Sequence, residues 1–140
     1  MARIITIILC CLLVGCSGPP QTPVQTPADH LASIPTADAK KYEKFADMKK
    51  WQNPYLILRS DGVGLLDASN NEVHILRLEE VLDALAKLPP SAWPYGRVVA
   101  VQEQSAVPAG DNGTAKRRNR SILAGTLIEA KVQINWVPPS

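Results

Sequence analysis

The chain has 140 residues, 46% apolar and 20% charged, with fifteen basic side chains against thirteen acidic ones. That length supports one small domain, and a net charge of +2 demands neither nucleic acid nor an acidic surface as partner. All three cysteines stand at position 16 or earlier, so the rest of the chain has no disulfide and no thiolate zinc site to hold it together.

The first element is a short start with one positive charge, Met1-Ala2-Arg3, followed by Ile4 to Val14 without a charge and by the small residue Gly15. This is the layout of a secretory signal over residues 1–15. This eleven-residue run, apolar except for Thr6, reaches roughly 17 Å as a helix, well short of the ~30 Å hydrocarbon core. Ser17-Gly18-Pro19-Pro20 then stops any helix. Cys10 and Cys11 lie inside the apolar run, where a free thiol is a small hydrophobe, and leave with the signal.

Leu13-Val14-Gly15-Cys16 resembles the lipobox of bacterial lipoproteins. The resemblance covers the first 16 residues and implies that Cys16 is joined to diacylglycerol and acylated at its new amino terminus. It also implies a membrane held through lipidated Cys16, with the domain facing the periplasm or the cell exterior. Ser17 after the cysteine resembles lipoproteins sent to the outer membrane, where the source has one.

From Cys16 to Pro35 the chain carries five prolines among Gln, Thr, Ser and Ala. Such a stretch buries too little apolar surface to offset its ordering entropy and is expected to be a disordered tether. In polyproline-like form it would reach up to ~60 Å. Residues 36–53 are expected to form a short amphipathic helix, with Thr36 as cap, Tyr42, Phe45, Ala46 and Met48 on one face, and Pro54 as terminator. Five lysines (Lys40, Lys41, Lys44, Lys49, Lys50) decorate it.

The domain proper is expected over residues 54–140. Tyr55 to Arg59 and Val63 to Asp67 flank Ser60-Asp61-Gly62 and read as a hairpin. Ser69-Asn70-Asn71 is a second turn, and Val73 to Leu76 a further strand. Leu78, Val81, Leu82, Leu85 and Leu88 then recur at helical spacing, which predicts a helix over Glu79 to Leu88 stopped by Pro89-Pro90. Arg97 to Gln102 reads as a central strand. Ala109 to Thr114 reads as a loop, followed by a helix through Ile122, Leu123, Leu127 and Ala130 with Asn119 as candidate cap. Gly125 is expected to let that helix approach the sheet, and Val132, Ile134 and Trp136 alternate as a last strand. The sum is an α+β fold: a small two-layer sandwich, mixed sheet with helices on one face, in the order hairpin-helix-strand-helix-strand after a disordered tether.

This order of elements, with its polar-Asp-Gly hairpin, the Leu78-to-Leu88 helix and the strand Val98-Val99-Ala100-Val101, resembles the periplasmic domain of the ExbD/TolR family. The resemblance implies a periplasmic module that pairs with itself or with envelope partners. That family carries an aspartate inside a true transmembrane helix. Ile4 to Val14 holds no acid and is too short, so the energy-coupling function does not carry over.

The sequence has no His-Glu-x-x-His spacing, no Gly-x-Ser-x-Gly elbow and no third glycine beyond Gly62-x-Gly64. His30 falls in the tether and His74 within a strand. The chain is therefore read as not an enzyme, with no cofactor and no metal. Lys116, Arg117, Arg118 and Arg120 surround Asn119 beside a glycine-rich loop and are the candidate contact for an acidic partner or anionic surface. Trp93-Pro94-Tyr95-Gly96 is a candidate binding lip or a packing element. The function read from the sequence is a lipid-anchored, non-catalytic envelope protein acting as an interaction or assembly module, with an envelope protein or a homo-oligomer as partner and no nucleic acid. The alternative is a small-ligand or substrate-binding lipoprotein.

Overall fold

The structure, a computed structural model, describes residues 18, 22–45, 48–105 and 113–139. The signal over 1–15, Cys16 and most of the loop before Thr114 lie outside the described residues. Five strands, β1 (Tyr55–Leu58), β2 (Val63–Asp67), β3 (Glu72–Leu76), β4 (Val98–Glu103) and β5 (Gln133–Val137), form one mixed sheet in the order β3-β2-β1-β4-β5. The first three are an antiparallel meander, whereas β4 runs parallel to β1 and β5 parallel to β4. Turn chemistry fixes the meander. Gly62 has φ +153°, and a Cβ there would lie 2.5 Å from the Leu76 carbonyl oxygen, so only glycine fits. Asn71 takes φ +59° at the second turn, a conformation asparagine tolerates.

Helices α1 (Pro27–Ala32), α2 (Val81–Ala86) and α3 (Gly113–Glu129) all lie on one face of this sheet. Leu31, Val81, Leu85, Leu123 and Leu127 are fully buried there against Leu56, Leu58, Val63, Val99 and Val101. A 3-10 turn, Leu78–Glu80, leads into α2. The backbone N–H of Arg77 donates to Glu80 Oε2 at 2.8 Å and its guanidinium to Oε1 at 2.7 Å, which satisfies a donor at the start of that turn. The α+β two-layer class is the one the sequence predicts, with β3 extending the hairpin by a strand.

Three expectations are corrected. Residues 22–26 are exposed and without regular structure, as a tether would be, but the segment 27–35 belongs to the domain. Thr26 and Asp29 form a capping box around Pro27, Leu31 enters the main core, and the Leu31 carbonyl accepts from Arg97 Nη1 at 3.2 Å. The folded unit thus takes in the chain from Pro27 onward, where the tether was expected to run to Pro35.

Residues 36–53 are not an amphipathic helix. They run as a strap with two 3-10 turns, Ala39–Lys41 and Met48–Lys50, across the face of the sheet opposite the helices; Ala46 and Asp47 lie outside the described residues. Edge-on and tilted packing of aromatic rings wins over helix formation here. Tyr42, Trp51 and Tyr95 are buried on Val98 and Ala100, with ring centroids 5.2 to 6.1 Å apart. The strap is locked at its start by Asp38 N–H to the Tyr95 carbonyl at 2.9 Å and Arg97 N–H to the Pro35 carbonyl at 2.8 Å. Gly96, at φ +79°, is where Pro35 and Thr36 press against the backbone so closely that a Cβ has no room.

The third correction concerns α3. It begins at Gly113, so Asn119 is interior rather than a cap, and Gly125 faces open space instead of the sheet. Asn119 Nδ2 instead donates to the Arg59 and Ser60 carbonyls at 3.0 and 3.1 Å, tying α3 to the first hairpin.

Candidate functional site

The predicted basic cluster lies on α3 rather than in a loop, and helical spacing splits it among several directions. Lys116 Nζ donates to the Gln104 carbonyl at 3.1 Å. Arg117 donates to Thr114 Oγ1 at 3.1 Å. Arg120 pairs with Glu103 and stacks on the half-exposed ring of Trp136, 4.2 Å from its centroid. Arg118 stands apart beside Leu78, Glu79 and Ile122. Three of the four cations are thus engaged within the domain, and the four do not converge on one spot.

The Trp93 to Gly96 segment packs inward. Trp93 is buried in the main core, and Tyr95 in the aromatic cluster, where its hydroxyl donates to the Lys50 carbonyl at 3.0 Å. What holds this corner is Asn53, only 4% exposed. Its Nδ2 donates to the Gly96 and Val98 carbonyls, both at 2.7 Å, and its Oδ1 accepts the Tyr95 N–H at 2.9 Å. A buried amide satisfied on both sides specifies one arrangement of strap and sheet.

The strap covers only half of its face. Strand register puts Val73, Leu66, Tyr55 and Ala100 in one row across β3, β2, β1 and β4, and Ile75, Gly64, Ile57 and Gln102 in the next. Among the described residues, the strap reaches Tyr55 and Ala100 but leaves the β1–β3 half open. There Val73 and Ile75 are 40% and 50% exposed, with Ile57 and Leu66 half-buried beside them. At Gly64 a Cβ would meet Val73 Cγ1 at 2.5 Å, so the glycine lets the Val73 side chain lie flat over β2. The result is an apolar trough, walled on one side by Met48 and Trp51 and ending at the free edge of β3.

The floor of the trough is uncharged. Lys49, Arg59 and Glu103 stand at its rim, and within the floor the Tyr55 phenol is pushed above its usual range by burial and donates to Gln102 Oε1 at 2.8 Å. Shifted carboxyls lie elsewhere. The Arg59 guanidinium holds Asp61 low, Arg77 does the same for Glu80, and the Ser69 hydroxyl and N–H, at 2.6 and 2.8 Å, do so for Asp67. Each serves a turn or a cap. Among the described residues no group of three or more His, Cys, Asp or Glu could hold a metal ion. His74 stands exposed on β3, on the helix side of the sheet, beside a groove of about 390 Å³ that Leu65, Leu88 and Ala92 also line. That volume is at the low end of small-ligand sites.

Such a trough can bind by apolar contact, and a free strand edge by backbone hydrogen bonds. Sequence reasoning placed Val73 and Ile75 in a strand but not in a site. The available signal was that β1 and β2 are apolar on both faces, while the strap is too short to cover both halves of the sheet. In comparisons with protein-family models, curated proteins and solved structures, nothing matches the chain.

Proposed function

We propose that this protein is a lipid-anchored, non-catalytic module of the bacterial cell envelope that works by binding another protein. Cys16 carries the lipid, and the domain stands in the periplasm or at the cell exterior, at the outer membrane where there is one. The observation that carries the binding role is the open apolar trough over Ile57, Leu66, Val73 and Ile75, which a small monomeric domain has no structural reason to keep bare. Two layers, helices on one side and docking surface on the other, also suit the pairing module that the ExbD/TolR resemblance implies. The cluster Lys116, Arg117, Arg118 and Arg120 is a lesser element in this reading, because three of its members already have partners within the domain.

The lipid anchor is tested by metabolic labelling with a fatty acid, comparing the native chain with Cys16→Ala. Each buried methylene contributes about 0.8 kcal/mol, so several acyl chains give stable attachment where one would not. Label on the native chain alone, together with loss of Cys16→Ala from the membrane fraction, supports the reading. Equal labelling of both ends it.

A further inference from the structure

The groove beside His74 lies on the other face of the sheet from the trough. Register sets Leu65 opposite His74 and Asp67 opposite Glu72, and alternation puts all four on the face of buried Val63. Leu65 makes a half-buried apolar base there with Leu88 and Ala92, from the chain that follows α2, at the margin of the main core. Asp67, Ser69 and His74 add a polar part to the lining, and among the described residues no lysine or arginine joins it. Asp67 Oδ1 accepts the Ser69 N–H and hydroxyl at 2.8 and 2.6 Å, and Oδ2 accepts no bond among the described residues. An asparagine could accept both bonds as well, so the turn accounts for the oxygen and not for the charge. Glu72 brings a second carboxylate to the same face, bonded to Asn70 Nδ2 at 3.0 Å. Like charges opposed across a strand pair destabilise a sheet. Neither carboxylate has a lysine or arginine partner among the described residues.

We infer that this groove binds a small organic cation, a primary ammonium carried on an apolar body. Leu65, Leu88 and Ala92 take the body, and the ammonium donates to Asp67 Oδ2 and to a ring nitrogen of His74. The His74 ring is near enough to act on the Asp67 charge, so one head group can reach both. Glu72, on the neighbouring strand, adds a negative field with no cation of the domain to answer it. An anion would meet two carboxylates there and no counter-charge. A metal ion is the wrong cation, because no cluster of three or more His, Cys, Asp or Glu among the described residues could hold one. A volume of about 390 Å³ suits a single ring or a short alkyl chain. The inference goes beyond the protein-binding role. It uses the opposite face of the sheet and is independent of the trough and of the lipid on Cys16.

The test is equilibrium dialysis of the full chain in neutral detergent, against empty micelles as blank. Three probes share one body: 2-phenylethylammonium, the uncharged 2-phenylethanol and the anionic 3-phenylpropanoate. The ammonium is expected to bind saturably at one site per chain, about tenfold or more tighter than the alcohol, as a charged hydrogen bond requires, with no binding of the carboxylate. Asp67→Asn keeps an acceptor for Ser69 and should weaken the ammonium to the level of the alcohol, with an unchanged circular dichroism spectrum and thermal midpoint. His74→Ala should weaken it several-fold. Asp61→Asn makes the same change of charge at the first hairpin, where Arg59 is its partner, and should leave binding as it was. Equal affinity for ammonium and alcohol overturns the inference, as does a native chain that binds the ammonium no better than empty micelles do. So does an Asp67→Asn chain that binds as tightly as the native one, or an equal loss in Asp61→Asn. Each of these outcomes leaves the protein-binding reading of the trough and the fatty-acid label untouched.

Discussion

Leu31→Ala tests whether the chain before residue 36 belongs to the domain. Leu31 is fully buried and makes up, with Val81, Leu85 and Trp93, part of the main core. Removing three carbons from such a site costs about 2.4 kcal/mol in transfer free energy alone, and the cavity adds to that. Because α1 is peripheral, it can shift toward α2 and recover part of the loss, so we expect a total near 2–4 kcal/mol. The same helix also holds Arg97 through the Leu31 carbonyl, and full undocking would give up that bond as well. Urea denaturation of a soluble chain beginning at Ser17 would show the midpoint falling with little change in slope. Truncation to Thr36 should cost at least as much. A midpoint unmoved by both changes would mean that residues 27–35 are a tether after all, and the placement of α1 would be refuted.

Asn53→Leu should destabilise by about 2–5 kcal/mol, because the Gly96 and Val98 carbonyls and the Tyr95 N–H lose their partners in a buried site; near-ultraviolet dichroism of the Trp51–Tyr95 cluster should fall with it, and an unchanged spectrum would count against the amide's role. Asp29, Asp61, Asp67 and Glu80 are all held below their ordinary carboxyl range by hydrogen bonds. The stability they add is therefore present above about pH 4–4.5 and is lost as pH falls through the folded-state values. Asp61→Asn with Glu80→Gln should flatten that acid limb in a pH series of thermal melts, whereas a limb of unchanged steepness would place the acid sensitivity elsewhere.

Local chemistry made most of the fold legible. Asp61-Gly62 and Asn70-Asn71 announce turns that only a few residues can make, and Leu78 to Leu88 repeats at a period that no strand shares. The errors came where a weak local signal met a strong tertiary one. Tyr42 and Phe45 sit three apart, as on a helix, yet their rings pack edge-on or tilted against Trp51 and Tyr95 on the sheet, which offer larger contact there. α1 was hidden by the prolines around it, although Thr26-Pro27-x-Asp29 is itself a helix start, with proline where a first turn needs no N–H donor. The basic run before Ile122 looked like a loop because a solvated helix face and a polar loop share one composition. The trough was invisible for a different reason: no residue in it is unusual, and only the partial reach of the strap leaves it bare.

The strap and α1 also determine how the domain answers to force. A pull on the chain before Thr26 meets α1 first, then the backbone bonds of Pro35 and Asp38 to Arg97 and Tyr95, and only afterwards the aromatic cluster. β1 lies behind all of these, in the centre of the sheet. Releasing residues 27–35 alone would free a segment about 30 Å long when extended at ~3.4 Å per residue, while every strand stays paired. The domain thus carries its own spare length of line, let out before the sheet comes under load.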